Sequence, residues 1–202
     1  MQRLQLYVTT ILCSLAFAGL IEAVPKIGQP APDFTAVDSY GVAQALGDYR
    51  GKIVVLEWTN HQCPFVGKHY GTGNMQALQQ HATDTGVTWL SVISSAPGEQ
   101  GYVSDAETNA LTAKRNASPT AVLLDPQGVV GRLYDARTTP HMYIIDAAGT
   151  LVYMGGIDDK PSTQYADVKT ATNYVRVALD EIRSGKPVSM PVTRPYGCSV
   201  KY

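Results

Sequence analysis

An apolar run that delivers one cysteine directly before a proline restricts this chain more than any other stretch. After the turn Asp48-Tyr-Arg-Gly51, residues 53–58 are apolar except for Glu57, which suits a strand buried on both faces. Thr59-Asn-His-Gln follows, and then Cys63-Pro64. Proline fits the first helical position, where its missing N–H would be unpaired and its φ is preset. Cys63 then takes the helix N-cap, its sulfur near free backbone N–H groups and the positive end of the helix dipole. A free thiol with pKa near ~8.5 is only about 3% ionised at pH 7, and this position raises that fraction. Cys63 is the candidate redox nucleophile.

The 202 residues, 45% of them hydrophobic, predict one domain with decorations. A net charge of -1, with 16 Lys and Arg residues and no basic run, argues against a nucleic-acid partner. Arg3 precedes a run without charge from Leu4 to Ile21, and small residues cluster at Ala16, Ala18 and Ala23. This pattern predicts a signal peptide over residues 1–23, cut after Ala18 or Ala23. A membrane anchor is the other reading of so long an uncharged run, weakened by Thr9, Thr10 and Ser14. Cys13 is read as a passenger in this leader. The expected mature chain is exported, periplasmic or secreted, without membrane contact, and carries two cysteines, Cys63 and Cys198.

Three prolines, at 25, 30 and 32, predict an irregular lead-in over residues 24–50. Beyond Pro64 the helix should stop at Gly71 and Gly73, with Asn74 capping a second helix that ends at Gly86. A strand is expected from Val87 to Ile93. Ser104 and Glu107 form a capping-box pattern ahead of a helix to Lys114. Residues 121–130 and 142–152 share an apolar strand, a turn with Asp first and Gly fourth, and a second apolar run. Tyr165 to Ser184 reads as one amphipathic helix ended by Gly185. The division is therefore a leader at 1–23, a domain at 24–185 and a proline-punctuated tail at 186–202 carrying Cys198. The element order predicts an α/β fold with a central mixed β-sheet flanked by helices.

The Gly28-Gln-Pro-Ala-Pro-Asp-Phe34 opening, Trp58, Cys63-Pro64 and Thr139-Pro140 resemble the redoxin branch of the thioredoxin superfamily, the alkyl hydroperoxide reductase and thiol-specific antioxidant family. The likeness spans about residues 25–184. It implies a thioredoxin-like fold, a cis Pro140 packed beside Cys63, and thiol-dependent oxidoreductase chemistry. Thr59, His61, Pro64, Thr139 and Pro140 would support the site. Two positions depart from the family pattern. Val66 stands where a thioredoxin-type dithiol has its second cysteine, and Asn60 where a peroxiredoxin has Thr or Ser. Arg137 is the one candidate for the family's activating arginine.

Cys198 is the expected resolving cysteine, which would trap oxidised Cys63 as a disulfide. The same bond as a permanent staple would stabilise the fold by about 5 kcal/mol, and pairing with another chain is a third option. The partners implied are an external dithiol reductant or a disulfide-bearing protein, with peroxide as an alternative substrate. Disulfide exchange is favoured over peroxide reduction because the peroxidatic pattern is incomplete. No cofactor is expected: Gly67-Lys68 lacks the spacing of a phosphate loop, and no Gly-x-Ser-x-Gly elbow occurs. A non-enzymatic alternative has Cys63, His61 and His141 holding copper or zinc. His61 also reads as a nearby cation or proton acceptor, or as a plain loop residue. Lys68 and His69, off the Cys63 face of the helix, are expected on the surface.

Overall fold

A computed structural model describes residues 24–202, so the leader reading lies outside the described residues. The first strands are β1 (Thr35–Asp38), β2 (Ala43–Ala45) and β3 (Val54–Trp58), followed by helices α1 (Pro64–Gly71) and α2 (Asn74–Asp84). Next come β4 (Thr88–Ile93), α3 (Asp105–Lys114), β5 (Ala121–Leu124) and α4 (Val129–Leu133). The chain continues through β6 (Thr138–Thr139), β7 (His141–Ile145), β8 (Leu151–Gly155), α5 (Tyr174–Arg183) and β9 (Cys198–Ser199). Seven strands make one mixed sheet in the order β2-β1-β5-β4-β3-β7-β8, and β6 pairs with β9 apart from it. The expected thioredoxin-like architecture is present.

The alternation along β3 explains both faces of the core. Val54, Leu56 and Trp58 join Leu90, Val92, Leu123, Tyr134 and Tyr143 on one side, under the lead-in and α4. Val55 faces the other way, with Met75 and Leu78 of α2 and Val175 and Leu179 of α5. Each fully buried aliphatic side chain contributes about 1.5–3 kcal/mol of burial free energy, so the two-sided strand anchors the domain. Glu57 sits on the α2 side, fully buried, and accepts hydrogen bonds from Tyr70, Gln79, Trp89 and Ser91. Among the described residues no helix is long and apolar enough to cross a membrane.

Several local expectations hold. Cys63 is the N-cap of α1, with φ -78° and ψ 123°. Ser104 and Glu107 form both halves of the capping box at α3. Ser104→Ala is expected to cost about 1 kcal/mol, read as a lower urea midpoint with unchanged slope.

Other expectations need correction. The lead-in is not irregular throughout: beyond Pro32 the chain forms β1 and β2 as a hairpin, and β1 extends the sheet beside β5. Gly73, not Asn74, occupies the N-cap of α2, and the Asn74 amide instead meets His69 Nδ1 at 2.9 Å. The apolar run after Gly128 coils into α4, because the Asp125 carboxylate accepts from the Gly131 N–H and bends the chain back. The helix read from Tyr165 splits into a one-turn 3-10 piece at Tyr165–Lys169 and α5, since Asn173 caps a fresh start at the Arg176 N–H.

Candidate active site

The sheet register brings the candidate residues to one end of the molecule. β3 and β7 are antiparallel with Trp58 opposite His141, so the loop leaving β3 and the loop entering β7 emerge side by side. The Thr139-Pro140 peptide is cis. Asn60, one of the two departures from the family pattern, organises the loop: its carboxamide accepts from the Gln62 N–H at 2.8 Å and donates to the Gln100 carbonyl at 3.1 Å. Arg115 braces the same loop by donating to the His61 carbonyl at 3.0 Å. Cys63 is 1% exposed, and its thiol donates to the Thr139 carbonyl at 3.0 Å.

The tail completes the site. It runs along β8, where the Thr193 N–H donates to the Met154 carbonyl at 3.1 Å, and then turns in beside the cis-proline loop. β9 pairs antiparallel with β6, placing Cys198 opposite Thr139 and Ser199 opposite Thr138. Beyond it, the Lys201 carbonyl accepts from the Ala96 N–H at 2.8 Å, and the Tyr202 hydroxyl donates to the Ala136 carbonyl at 2.6 Å. Gly197 is indispensable to this path. Its φ is +144°, and a Cβ there would lie 2.0 Å from the Thr139 oxygen. Both cysteines are free thiols, and each lies close enough to shift the other's titration.

Electrostatics divides the two thiols. Burial pushes the Cys63 pKa up, and the polar groups around it, first the Cys198 side chain and then the Val66 N–H, the Thr139 side chain and the Cys198 N–H, more than offset that. The net shift is downward. The Thr139 hydroxyl is buried and has no hydrogen-bond partner among the described residues. Cys198 moves the opposite way, raised by burial and by its bond and proximity to the Cys63 sulfur. Of the two thiols, Cys63 therefore loses its proton first. The expected outcome is that Cys63 alkylation in the reduced protein follows a pH midpoint below the ordinary thiol range, while Cys198 labels only at higher pH.

The other predicted residues fall into place unevenly. Pro64 opens α1 as expected. Thr59 is buried, and its hydroxyl and His61 Nδ1 are unpartnered among the described residues. Both residues border a cavity of about 30 Å³ with Ser91, Thr108 and Arg115. Burial, and then the Arg115 charge, hold the His61 pKa below its ordinary value. His141 is buried and engaged away from Cys63. Its Nδ1 meets the Arg137 N–H and the Tyr143 hydroxyl, and burial pulls its pKa down to about 4. No cluster of three or more His, Cys, Asp or Glu suited to a metal exists among the described residues. Arg137 is exposed and paired with Asp135 rather than the sulfur.

Lys68 and His69 overturn their surface assignment, since both are 0% exposed. A helix face turned from Cys63 is turned toward Asp158 and the tail, and that partner was invisible in the local spacing. Tyr196, Gly197, Asp158 and Arg115 are contributors the sequence reading did not single out. Their one sequence signal is Tyr-Gly placed immediately before the second cysteine.

A search of curated proteins finds no match. Among solved structures, the chain is similar to a conserved uncharacterised protein from Geobacillus kaustophilus, at 24% identity and TM-score 0.73, over 88% of this chain and 92% of that one. It is also similar to the exposed lipoprotein thioredoxin of Streptococcus pneumoniae, at 26% identity and TM-score 0.50, over 69% and 97%. A third likeness is to a putative thiol:disulfide interchange protein DsbE from Chlorobium tepidum, at 23% identity and TM-score 0.51, over 64% and 84%. The model of the AhpC/TSA family matches residues 27–154, a span that holds the β3 strand, the Cys63-Pro64 helix start and the cis-proline loop. The fold is thioredoxin-like, and by the family match the chain belongs to the AhpC/TSA family.

Proposed function

We propose that the protein is an exported thiol oxidoreductase that works through thiol–disulfide exchange, with Cys63 as nucleophile and Cys198 as resolving cysteine. The observation that carries this reading is the meeting of a lowered thiol at a helix N-cap with a second, protonated thiol delivered by β9. The Cys63 thiolate attacks one sulfur of a substrate disulfide, forms a mixed disulfide and releases the other sulfur as thiolate. Cys198 gives up its proton, attacks the Cys63 sulfur and expels the second substrate thiolate. The substrate gains two electrons, and Cys63 and Cys198 end as a disulfide that an external dithiol reduces again. The likeness to the lipoprotein thioredoxin of Streptococcus pneumoniae supports this direction, and the leader pattern of residues 1–23 supports export.

A second reading has a specific observation in its favour. With the tail docked, Cys63 is 1% exposed, which admits a small oxidant such as a peroxide far more readily than a folded protein. The test compares wild type with Cys63→Ser and Cys198→Ser in a glutathione-disulfide or insulin assay and in a peroxide assay, with mass mapping of the cysteines. Disulfide turnover lost in Cys63→Ser, and stalling as a mixed disulfide in Cys198→Ser, is the expected result. Turnover in the peroxide assay alone assigns the second reading, and no difference between the proteins in either assay overturns both.

A further inference from the structure

The tail carries a second anchor that the cysteine chemistry does not itself require. Two residues before Cys198, the Tyr196 side chain enters a cage of buried charge. Lys68 and His69 of α1 are 0% exposed and Asp158, after β8, is 2% exposed. Lys68 Nζ lies 3.7 Å from Asp158 Oδ2, donates to the Lys160 carbonyl at 2.8 Å and to the Tyr196 hydroxyl at 3.2 Å. The Tyr196 hydroxyl in turn donates to Asp158 Oδ1. Asn74 donates to His69 Nδ1, so the ring proton belongs on Nε2, which donates to the Tyr196 hydroxyl at 3.2 Å. Every polar atom at the hydroxyl thus has one complementary role. The Tyr196 ring also meets Phe65, the second residue of α1, edge-on at 5.8 Å.

This cage ties together three segments: the helix that Cys63 caps, the loop after β8, and the tail. A buried lysine and aspartate are costly to desolvate, and such pairs contribute geometric specificity more reliably than net stability. We propose that Tyr196 is a positioning residue for Cys198: its hydroxyl, seated in the Lys68–His69–Asp158 cage, fixes the docked tail and sets how closely Cys198 approaches Cys63. The proposal rests on the reading of Cys198 as resolving cysteine. It makes docking of the tail a discrete event, closed when the hydroxyl is seated and open when it is not.

Tyr196→Phe removes one oxygen and leaves the ring contact in place. In a Cys198→Ser background, where no disulfide forms, the rate of Cys63 alkylation by a bulky maleimide reports docking alone, and a rise of tenfold or more is expected. In the two-cysteine background, titration with oxidised glutathione gives the effective concentration of Cys198 at Cys63, expected to fall tenfold or more. Phe65→Leu, which loosens the ring from the other side, should move both readouts in the same direction by less. Thermal unfolding is followed in the same samples. A lower Tm with both thiol readouts at parental values would overturn the positioning role and leave the cage purely structural. Failure of the underlying reading looks different: the unsubstituted protein itself would form no Cys63–Cys198 disulfide, while the alkylation arm would still report on Tyr196.

Discussion

Gly197→Ala slows closure of the Cys63–Cys198 disulfide by about thirtyfold or more and leaves the core folded. The added methyl would lie 2.0 Å from the Thr139 oxygen and 2.6 Å from its carbonyl carbon, both backbone atoms paired in β6. The φ of +144° is a conformation that side-chain-bearing residues occupy at a cost of order 1–3 kcal/mol before the clash is counted. Together these exceed ~2 kcal/mol, and each 1.4 kcal/mol is a factor of ten. The two residues of β9 join neither core cluster, and the flanking Tyr196 and Val200 pack against the clusters only as partly buried side chains, so the core persists when the strand is displaced. Quenched-flow trapping of the disulfide after a stoichiometric oxidant measures the rate, and urea denaturation of the reduced protein checks the core. Closure at the wild-type rate would mean that the tail reaches Cys63 by another path. With the tail released, Cys63 should also over-oxidise to the sulfinic acid at lower oxidant concentration.

Glu57→Ala carries the largest expected loss of stability. One buried carboxylate accepts from Tyr70 at 2.9 Å, Gln79 at 3.1 Å, Trp89 at 2.9 Å and Ser91 at 2.9 Å. Deleting it strands these donors where no water replaces the acceptor, and leaves a gap in the centre of the sheet. A loss of about 4 kcal/mol follows. Glu57→Gln keeps an acceptor but turns an N–H₂ group toward existing donors, and should lose about half as much.

The carboxyl also gives a pH signature. Burial, opposed by the four donors, raises the Glu57 pKa above its ordinary 4.5. The folded protein therefore binds the proton more tightly than the unfolded chain, so this stabilising contribution is complete below the unfolded value and is lost as pH rises through the folded one. The stability gap between wild type and Glu57→Gln should narrow as pH climbs from 4.5. A gap that widens instead would show that the four donors outweigh burial.

What was legible in the sequence was local. The run at 53–58 and the Cys63-Pro64 step carry their own burial pattern and cap, and the Ser104–Glu107 box needs no partner outside its helix. Lys68 and His69 were misplaced because a helix's periodicity relates its residues to one another, not to the Tyr196 that covers them from more than a hundred positions away. The pairing of β6 with β9 is only two residues long, too short to leave an alternation, so the approach of Cys198 to Thr139 could be argued from the chemistry of two thiols but not read from a pattern. The missed hairpin of β1 and β2 follows from weighting Pro25, Pro30 and Pro32 beyond the residues they govern. Helix α4 was missed because a buried Asp125 carboxylate, not its apolar residues, decides where the chain turns.

The separation of the two thiols along the chain also orders events in time. Cys63 is synthesised with the first third of the polypeptide, and every strand of the seven-stranded sheet precedes residue 156. The domain can complete its sheet while Tyr196, Gly197 and Cys198 are still to come. During that interval the nucleophile stands uncovered at its helix terminus. On the proposed reading, a newborn domain thus holds Cys63 without Cys198, open to any disulfide it meets, until its last strand arrives.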